Sequence, residues 1–407
     1  MRFLFSFAPL LLSVVLLQLS SGGVGPLDAV SGLAQGFTRA EIGLLGSAHF
    51  VGFFVGCWWA PRLMGSVGHA RAFAGFTAMG AIGLIAHMLW VAPLPWAVMR
   101  MATGLSIAGS YTVIEAWMNA RIDNNTRARA MGGYRIVDMG GSLCAQLLIG
   151  VLEPAHYISY NILAITCCAA ILPLALTRTP QPETPGAPRL RPLLAWHRSP
   201  LAVAGVIVAG ITSAAFRMVG PIYGQEVGLE TGQLAWFLAA FVLGGALAQL
   251  PVGWLADRYD RRWVLIWLSV AAIVSCAVTA LSAGLGITAI FLAAGLFGLT
   301  TFPIFSVAAA HANDFASSPE RVELSAALMF FYAVGAIASP LGASHLIEQF
   351  GPGALFSMIA VGHGVLIVFG IARHRSRPTV EDRTPYTYTP RTSFSMGRLF
   401  GKLRDRS

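Results

Sequence analysis

Five ionisable residues lie inside long apolar runs of the chain: Arg100, Glu115, Arg135, Asp138 and Arg217. A charge at the centre of a lipid-embedded helix costs roughly 2.5–3.5 kcal/mol or more, so a group kept there is a functional candidate by default. Arg135 and Asp138 stand three residues apart and share a helix face. Glu115 lies on the preceding apolar run at a similar distance from the intervening loop. The three therefore form a candidate network, able to serve as a proton or gating switch or as a purely structural ion cluster. Arg100, near the start of its run, either snorkels to the interface or takes part in coupling and cavity lining. Arg217 has no carboxylate near it in sequence, since Glu226 lies beyond the end of its run. It either binds an anionic or carbonyl-rich solute or pairs with Asp28 across the mouth of a cavity. Neutral lining candidates are Gln18, Ser21, Tyr111, Thr212, Phe297 and Phe302. Aromatic faces with a few hydrogen-bonding groups suit a planar heterocycle. No metal-ligand spacing, phosphate loop or nucleophile elbow appears, so neither an enzyme nor a bound cofactor or metal is expected.

The elements that must position these groups follow from composition. Of the 407 residues, 56% are hydrophobic and only 11% charged, against about 25% charged in soluble domains. Lipid must replace water as the solvent. The net charge of +9 does not imply nucleic acid, because the arginines cluster in short loops rather than along one face. The five cysteines, Cys57, Cys144, Cys167, Cys168 and Cys276, all fall in apolar runs and read as small buried hydrophobes. Runs long enough to span lipid fall near 3–24, 40–60, 72–92, 96–118, 130–151 and 156–176, then 200–222, 231–252, 263–283, 287–310, 323–345 and 353–373. The first is expected to stay as a helix rather than be cleaved as a signal peptide. Gly25-Pro26 and Gly220-Pro221 are expected to end the first and seventh helices.

Numbering the loops from the N-terminus places nearly every basic residue on one side, including Arg62, Arg71, Arg121, Arg127, Arg129, Arg258, Arg261, Arg262 and Arg321. The other side holds essentially Arg39 alone. Positive charge stays cytoplasmic, which puts both termini inside a bacterial inner membrane. The fold expected is all-α, with twelve transmembrane helices in two six-helix bundles spanning 1–176 and 200–373. A Pro/Arg-rich stretch, 177–199, reads as an extended cytoplasmic linker, and 374–407 as a basic, disordered tail attracted to lipid. The halves resemble each other weakly: 43–68 overlays 235–260 without a gap, and Gly104 corresponds to Gly295. Such duplicated halves are the architecture of rocking transporters with a midplane site.

The sharpest motif is Gly253-Trp-Leu-Ala-Asp257-Arg258-Tyr-Asp260-Arg261-Arg262. A tight turn there brings two helix ends together. Asp257 could accept hydrogen bonds from the N-terminus of a neighbouring helix, and the arginines could pair with carboxylates in one state and release them in another. The run resembles the loop signature of the major facilitator superfamily, with Asp260 where that family usually has Gly. The first-half copy, Pro61-Arg62-Leu-Met-Gly65-Ser-Val-Gly68, lacks the aspartate. With Arg100-Met-Ala-Thr-Gly104, Glu115-Ala-Trp117-Met-Asn119 and Gln249-Leu-Pro-Val-Gly253, the chain resembles the YcaD-like branch of that superfamily over roughly residues 3 to 373. The resemblance implies a monomeric secondary transporter of a small organic solute, with the proton as candidate coupling ion. Riboflavin-like vitamin uptake is the sharpest substrate it implies. Efflux of hydrophobic drugs, export of a sugar or metabolite, and a non-transporting sensor or scaffold are the alternatives.

Overall fold

The computed structural model describes residues 2–122, 127–176, 188–317, 320–374 and 383–394. Helices α1 (Arg2–Ala34), α2 (Arg39–Val67), α3 (His69–Ala86), α4 (Pro93–Arg121), α5 (Arg127–Leu148), α6 (Tyr157–Ala169) and α7 (Ile171–Ala175) build the first half. A short helix α8 (Pro192–Arg198) leads into the second half: α9 (Pro200–Glu226), α10 (Thr231–Arg258), α11 (Arg261–Ser282), α12 (Ile287–Thr301), α13 (Ile304–Asn313), α14 (Arg321–Phe350) and α15 (Ala354–His374). With α6 and α7 taken as one span and α12 and α13 as another, the described residues give twelve membrane-length segments. Among them nine are long and apolar enough to cross a membrane. The segments that fall short are α3, α4 and α5; α4 and α5 carry Arg100, Glu115, Arg135 and Asp138.

Several helices outrun the lipid. At about 1.5 Å per residue, the 33 residues of α1 extend about 50 Å, against a hydrocarbon core of about 30 Å. Their ends therefore form the loops and mouths of the bundle. Pro26 and Pro221 do not end helices as the sequence suggested; both lie within continuous helix, in α1 and α9. Neighbouring helices tolerate such prolines in a membrane. The break that does occur is at Phe302-Pro303, between α12 and α13, where proline removes a backbone N–H. Helix starts are capped by their own residues: Thr38 and Glu41 form a capping box on α2, and the Ser199 hydroxyl accepts from the Ala202 N–H of α9.

The two halves repeat one packing plan. α2 packs along α4, as α10 does along α12; α3 meets α6, as α11 meets α15; α1 meets α5, as α9 meets α14. The halves join where α2 meets α14, α5 meets α10, and α1 meets α9. Glycine sets the closest approaches inside each half. A methyl group on Gly52 would overlap the carbonyl of Met101, and one on Gly104 the carbonyl of His49. In the second half Gly244 and Gly298 stand in the same relation to the carbonyls of Gly295 and Phe241. Small residues allow this backbone contact, which replaces the hydrophobic drive that lipid removes. The linker end is partly helical and clasped rather than extended throughout. Arg191 pairs with Glu323, and Arg198 with Glu320. The hydrogen bond from Arg198 holds the Glu320 carboxyl down at about 2, so the Arg198–Glu320 pair persists at neutral pH and is lost only as pH falls toward that value.

Gly52→Val or Gly244→Val should force the paired helices apart, costing about 3 kcal/mol or more because backbone cannot yield as a side chain does. Thermal unfolding in detergent should show a clear fall in Tm for either, whereas Gly132→Ala, at a position open to space, should leave Tm nearly unchanged.

Candidate functional site

A basin that collects polar side chains from both halves lies at their junction. It encloses about 130 Å³. From α1 come Gln18 and Ser21, from α4 Tyr111, and from α5 Asp138; α9 supplies Arg217, and Phe302 enters from the break after α12. These six were sequence candidates. His49, Phe50, Phe53, Gln146, Ser213 and Tyr332 also line the basin. Two candidates face elsewhere. The Thr212 hydroxyl bonds to His363 Nε2 at 3.2 Å, and Ser213 takes the cavity position. Phe297 is packed among Phe216, Phe241 and Phe356 with ring centroids 5.2–5.6 Å away. A helical step of one residue turns a side chain by about 100°, which sequence alone could not resolve for an all-apolar helix.

Asp138 is the acidic pole of the cavity. Gln18 Nε2 donates to its Oδ1 at 2.6 Å and the Tyr111 hydroxyl at 2.8 Å. Both donors are neutral. Arg217 faces the same cavity from the other half, close enough to act on Asp138 through space. A carboxylate held by neutral donors and a cation held by no bonded carboxylate, on opposite walls, can engage a solute's polar groups or exchange charge as the walls move.

The proposed network of Glu115, Arg135 and Asp138 is not assembled as an ion cluster. Arg135 instead lies over the Tyr388 ring, 5.6 Å from its centroid. Glu115 is buried and accepts hydrogen bonds from the hydroxyls of Tyr134, Thr392 and Ser393. Its two closest partners come from the C-terminal segment, which the sequence suggested was a loose tail. Residues 383–394 instead run along the central vestibule. Tyr388, Arg391 and Thr392 line the same cavity.

Arg217 does not pair with Asp28 either. Asp28 Oδ2 takes Arg100 Nε at 3.2 Å, and Oδ1 accepts from the Tyr160 hydroxyl at 2.8 Å. His87 Nε2 lies 3.5 Å from Asp28, and its ring stacks on Tyr160. Arg100 is fully buried, so it does not snorkel. The cluster was missed because Asp28 lies on the extension of α1 beyond the expected helix end. Nearby, Met218 of α9 packs against Gly25 and Gly46, and Pro340 against Gly43 and Gly46. Arg39 Nε bonds Glu226 Oε1 at 2.6 Å across the halves. This end of the molecule is closed by direct contact between the halves.

At the arginine-rich end the signature loop is fully bonded. Arg261 is buried, with Nη1 2.7 Å from Asp314 and 3.0 Å from the Ala310 carbonyl, and Nη2 3.2 Å from Asp257. Asp257 does not receive a neighbouring helix start; it accepts the Tyr386 N–H at 2.6 Å. The capping role falls to Asp260, which accepts from the Arg262 N–H and pairs with its guanidinium at 2.7 Å. Burial alone would raise the Asp260 carboxyl; the Arg262 bonds outweigh it and hold it below the usual range. The aspartate standing at the signature's glycine position therefore starts α11. Arg258 stacks on Trp254, and Gly253 leaves room for Tyr386, whose ring would lie 2.8 Å from a methyl there. In the first-half copy Arg62 bonds within its own helix, stacking on Trp58.

The sequence profile of the Major Facilitator Superfamily matches residues 10–232 and, overlapping it, 201–405. An uncharacterized MFS-type transporter of Yersinia enterocolitica is 26% identical over 332 residues, covering 81% of this chain and 85% of its own. The uncharacterized MFS-type transporter YcaD of Escherichia fergusonii is 25% identical over 343 residues, covering 83% and 88%. Among solved structures, the nucleoside transporter NupG superposes with a TM-score of 0.75 at 16% identity, over 91% of this chain and 98% of that one. A bacterial homolog of the lysosomal transporter Spinster, inward-facing and occupied, gives 0.72 at 16% over 93% and 98%. A D-xylose-proton symporter gives 0.69 at 12% over 94% and 99%. These likenesses establish the fold.

Asp28→Ala should leave Arg100 buried without its anion and cost about 3–5 kcal/mol, read as a large drop in Tm. The pair of changes Asp28→Ala and Arg100→Leu should recover a substantial part of that loss; a double variant no more stable than the single one would contradict the pairing.

Proposed function

We propose, since the chain belongs to the Major Facilitator Superfamily and is a secondary transporter, that it takes up a small planar organic solute rich in hydrogen-bonding groups, with riboflavin the sharpest candidate. The observation that carries this reading is the cavity between the halves. Aromatic faces from Phe50, Phe53, Tyr111, Phe302 and Tyr332 surround polar groups from Gln18, Gln146 and Ser213, with Asp138 and Arg217 on opposite walls. Flat rings stack on aromatic faces, while hydroxyl and imide groups meet the polar positions.

Alternating access follows from the contact plan. Each half is tied within itself by glycine contacts, while the halves meet over a polar basin, so a rocking motion breaks the fewest bonds. In this reading 1–176 and 200–373 are the moving bodies, 177–199 the connector and 374–407 the tail. The arginine-rich end, with both termini, faces the cytoplasm of a bacterial inner membrane. One chain supplies the whole cavity and acts as a monomer. The closed end near Arg39 and Glu226 then faces outward, and the structure is inward-facing. The proton is the coupling ion, and Asp138 carries it: with only neutral donors bonded, its charge can change without stranding a bonded cation.

Labelled riboflavin should accumulate in a flavin-auxotrophic host expressing the chain. Arg217→Ala should reduce uptake about 30- to 150-fold, the equivalent of about 2–3 kcal/mol for a lost charged hydrogen bond. Asp138→Asn should abolish uncoupler-sensitive accumulation while leaving solute exchange. Absence of uptake together with raised drug tolerance would replace import by efflux, and no transport alongside a signalling phenotype would point to a sensor.

A further inference from the structure

The tail is the least expected part of the molecule. Its sequence, Thr384-Pro-Tyr386-Thr-Tyr388-Thr-Pro-Arg391-Thr-Ser-Phe394, alternates β-branched threonine with aromatic residues and holds two prolines. Proline and the residue before it favour extended backbone, and threonine does too. These eleven residues have no helix among them. Fully extended they reach about 35 Å, enough to run from the signature loop to the middle of the bundle. Ser393 is fully buried, and Tyr388 and Phe394 are no more than 6% exposed. A segment this polar is not buried without partners, and its partners follow one another along its length.

At the arginine-rich end, Asp314 accepts from the N–H and the hydroxyl of Thr384, each at 2.8 Å, while Arg261 donates to the Thr384 carbonyl. Next, the Tyr386 N–H reaches Asp257, and its hydroxyl donates to Gln249 Oε1 at 3.0 Å. The Thr389 N–H donates to Ser306 at 3.1 Å. Deeper, Arg391 lies over the Phe302 ring at 4.6 Å from its centroid, a cation–π contact with the second half. Finally Thr392 and Ser393 donate to Glu115, and Phe394 packs edge-on to Phe54 at 5.7 Å, both contacts with the first half.

We propose that residues 383–394 are an intramolecular ligand of the central vestibule, which is a peptide-binding surface shared by both halves and fitted to an extended, hydroxyl-rich segment carrying two arginines. Seated, the segment fills the space a solute would use and keeps the arginine-rich ends of the halves from closing on each other. This rests on the alternating-access reading above. Two features make the seat specific. Arg391 occupies the cavity beside Phe302 and Tyr332, where a solute's ring would stack. The same signature-loop residues that hold Thr384 and Tyr386, Arg261 and Asp257, would otherwise be available to partners within the bundle, so seating the tail competes with whatever those residues bond in another state. What remains open, about 130 Å³, is small beside the roughly 300–1,000 Å³ of usual small-molecule sites.

The test uses the whole chain in lipid nanodiscs, where both mouths are reachable. Cys144→Ser and Cys168→Ser remove the exposed thiols, and Ser213→Cys places a reporter in the cavity. Labelling by a charged maleimide should be slow in this protein. It should quicken about tenfold or more in a chain ending at residue 382, and likewise in the full-length Arg391→Ala, Thr392→Ala, Ser393→Ala variant, because the rate follows the fraction of molecules with the seat empty. A synthetic peptide of residues 383–394 should slow labelling of the shortened chain again. Equal rates in all three proteins, or no effect of the peptide, would overturn the proposal. Labelling needs no solute, so this outcome is independent of riboflavin: fast labelling of the shortened reporter chain, together with no uptake by full-length and shortened chains that keep Ser213, removes the substrate reading and leaves the tail's role standing.

Discussion

A charge buried in this molecule can be stabilised only by partners inside the protein, because lipid offers none. That constraint organises the structure more than any single hydrophobic contact does, since the lipid tails are as apolar as the side chains. It accounts for the three places where charge concentrates. Arg100 and Asp28 close on each other with Tyr160 and His87; Arg261 collects Asp314, Asp257 and three carbonyls; Glu115 takes three hydroxyls. Each set answers the same desolvation cost with a different chemistry, and the chemistry determines what each can do.

The same constraint separates what is rigid from what can move. Within each half, helices touch backbone to backbone, Gly52 against Met101 and Gly104 against His49, and Gly244 against Gly295 and Gly298 against Phe241. Such contacts leave no room for a side chain and tie the helices of each half together. Between the halves the contacts are of two kinds. Near Arg39 and Glu226 they are direct and close, through Met218 and Pro340 against glycines. At the other end the tail stands between them, touching Glu115 and Phe54 on one side and Phe302 and Ser306 on the other. The asymmetry of the interface is thus built from sequence-distant residues that meet only in the folded chain.

Much of this was legible in advance. Apolar run lengths gave the spans, the arginines marked one end of the bundle, and Gly-x-x-x-Asp-Arg located the loop now seen bound around Arg261. Charge within apolar runs drew attention to Asp138 and Arg217, which line the cavity, and to Glu115, which is buried, whereas Arg100, read as able to snorkel, is buried against Asp28. Partners were a different matter. A membrane helix can continue through Gly-Pro when its neighbours support it, so α1 carried Asp28 past the expected end and into reach of Arg100 rather than Arg217. Thr212 and Phe297 lay on helices apolar all round, where no amphipathic pattern tells inside from outside. The tail was misjudged for a physical reason too. Composition of the kind found after Arg373 is that of a chain unable to bury itself, and only a preformed polar groove supplied by the rest of the molecule changes that balance.

The partner types separate fixed charges from adjustable ones. Asp28 is neutralised by a guanidinium within its own half, so rocking of the halves leaves that pair intact, and protonating the carboxylate would strand Arg100. Asp138 and Glu115 have no such restraint: their bonded partners are hydroxyls and an amide, which accommodate either a carboxylate or a carboxylic acid by turning a donor. Asp138 lines the cavity, and for Glu115 two of the three donors belong to a segment held by no span of its own. The groups whose charge state can change are therefore those whose surroundings change when the vestibule fills, empties or closes. Under the proton-coupled reading proposed above, that coincidence is what would link occupancy of the cavity to protonation, without any direct contact between a proton and the solute.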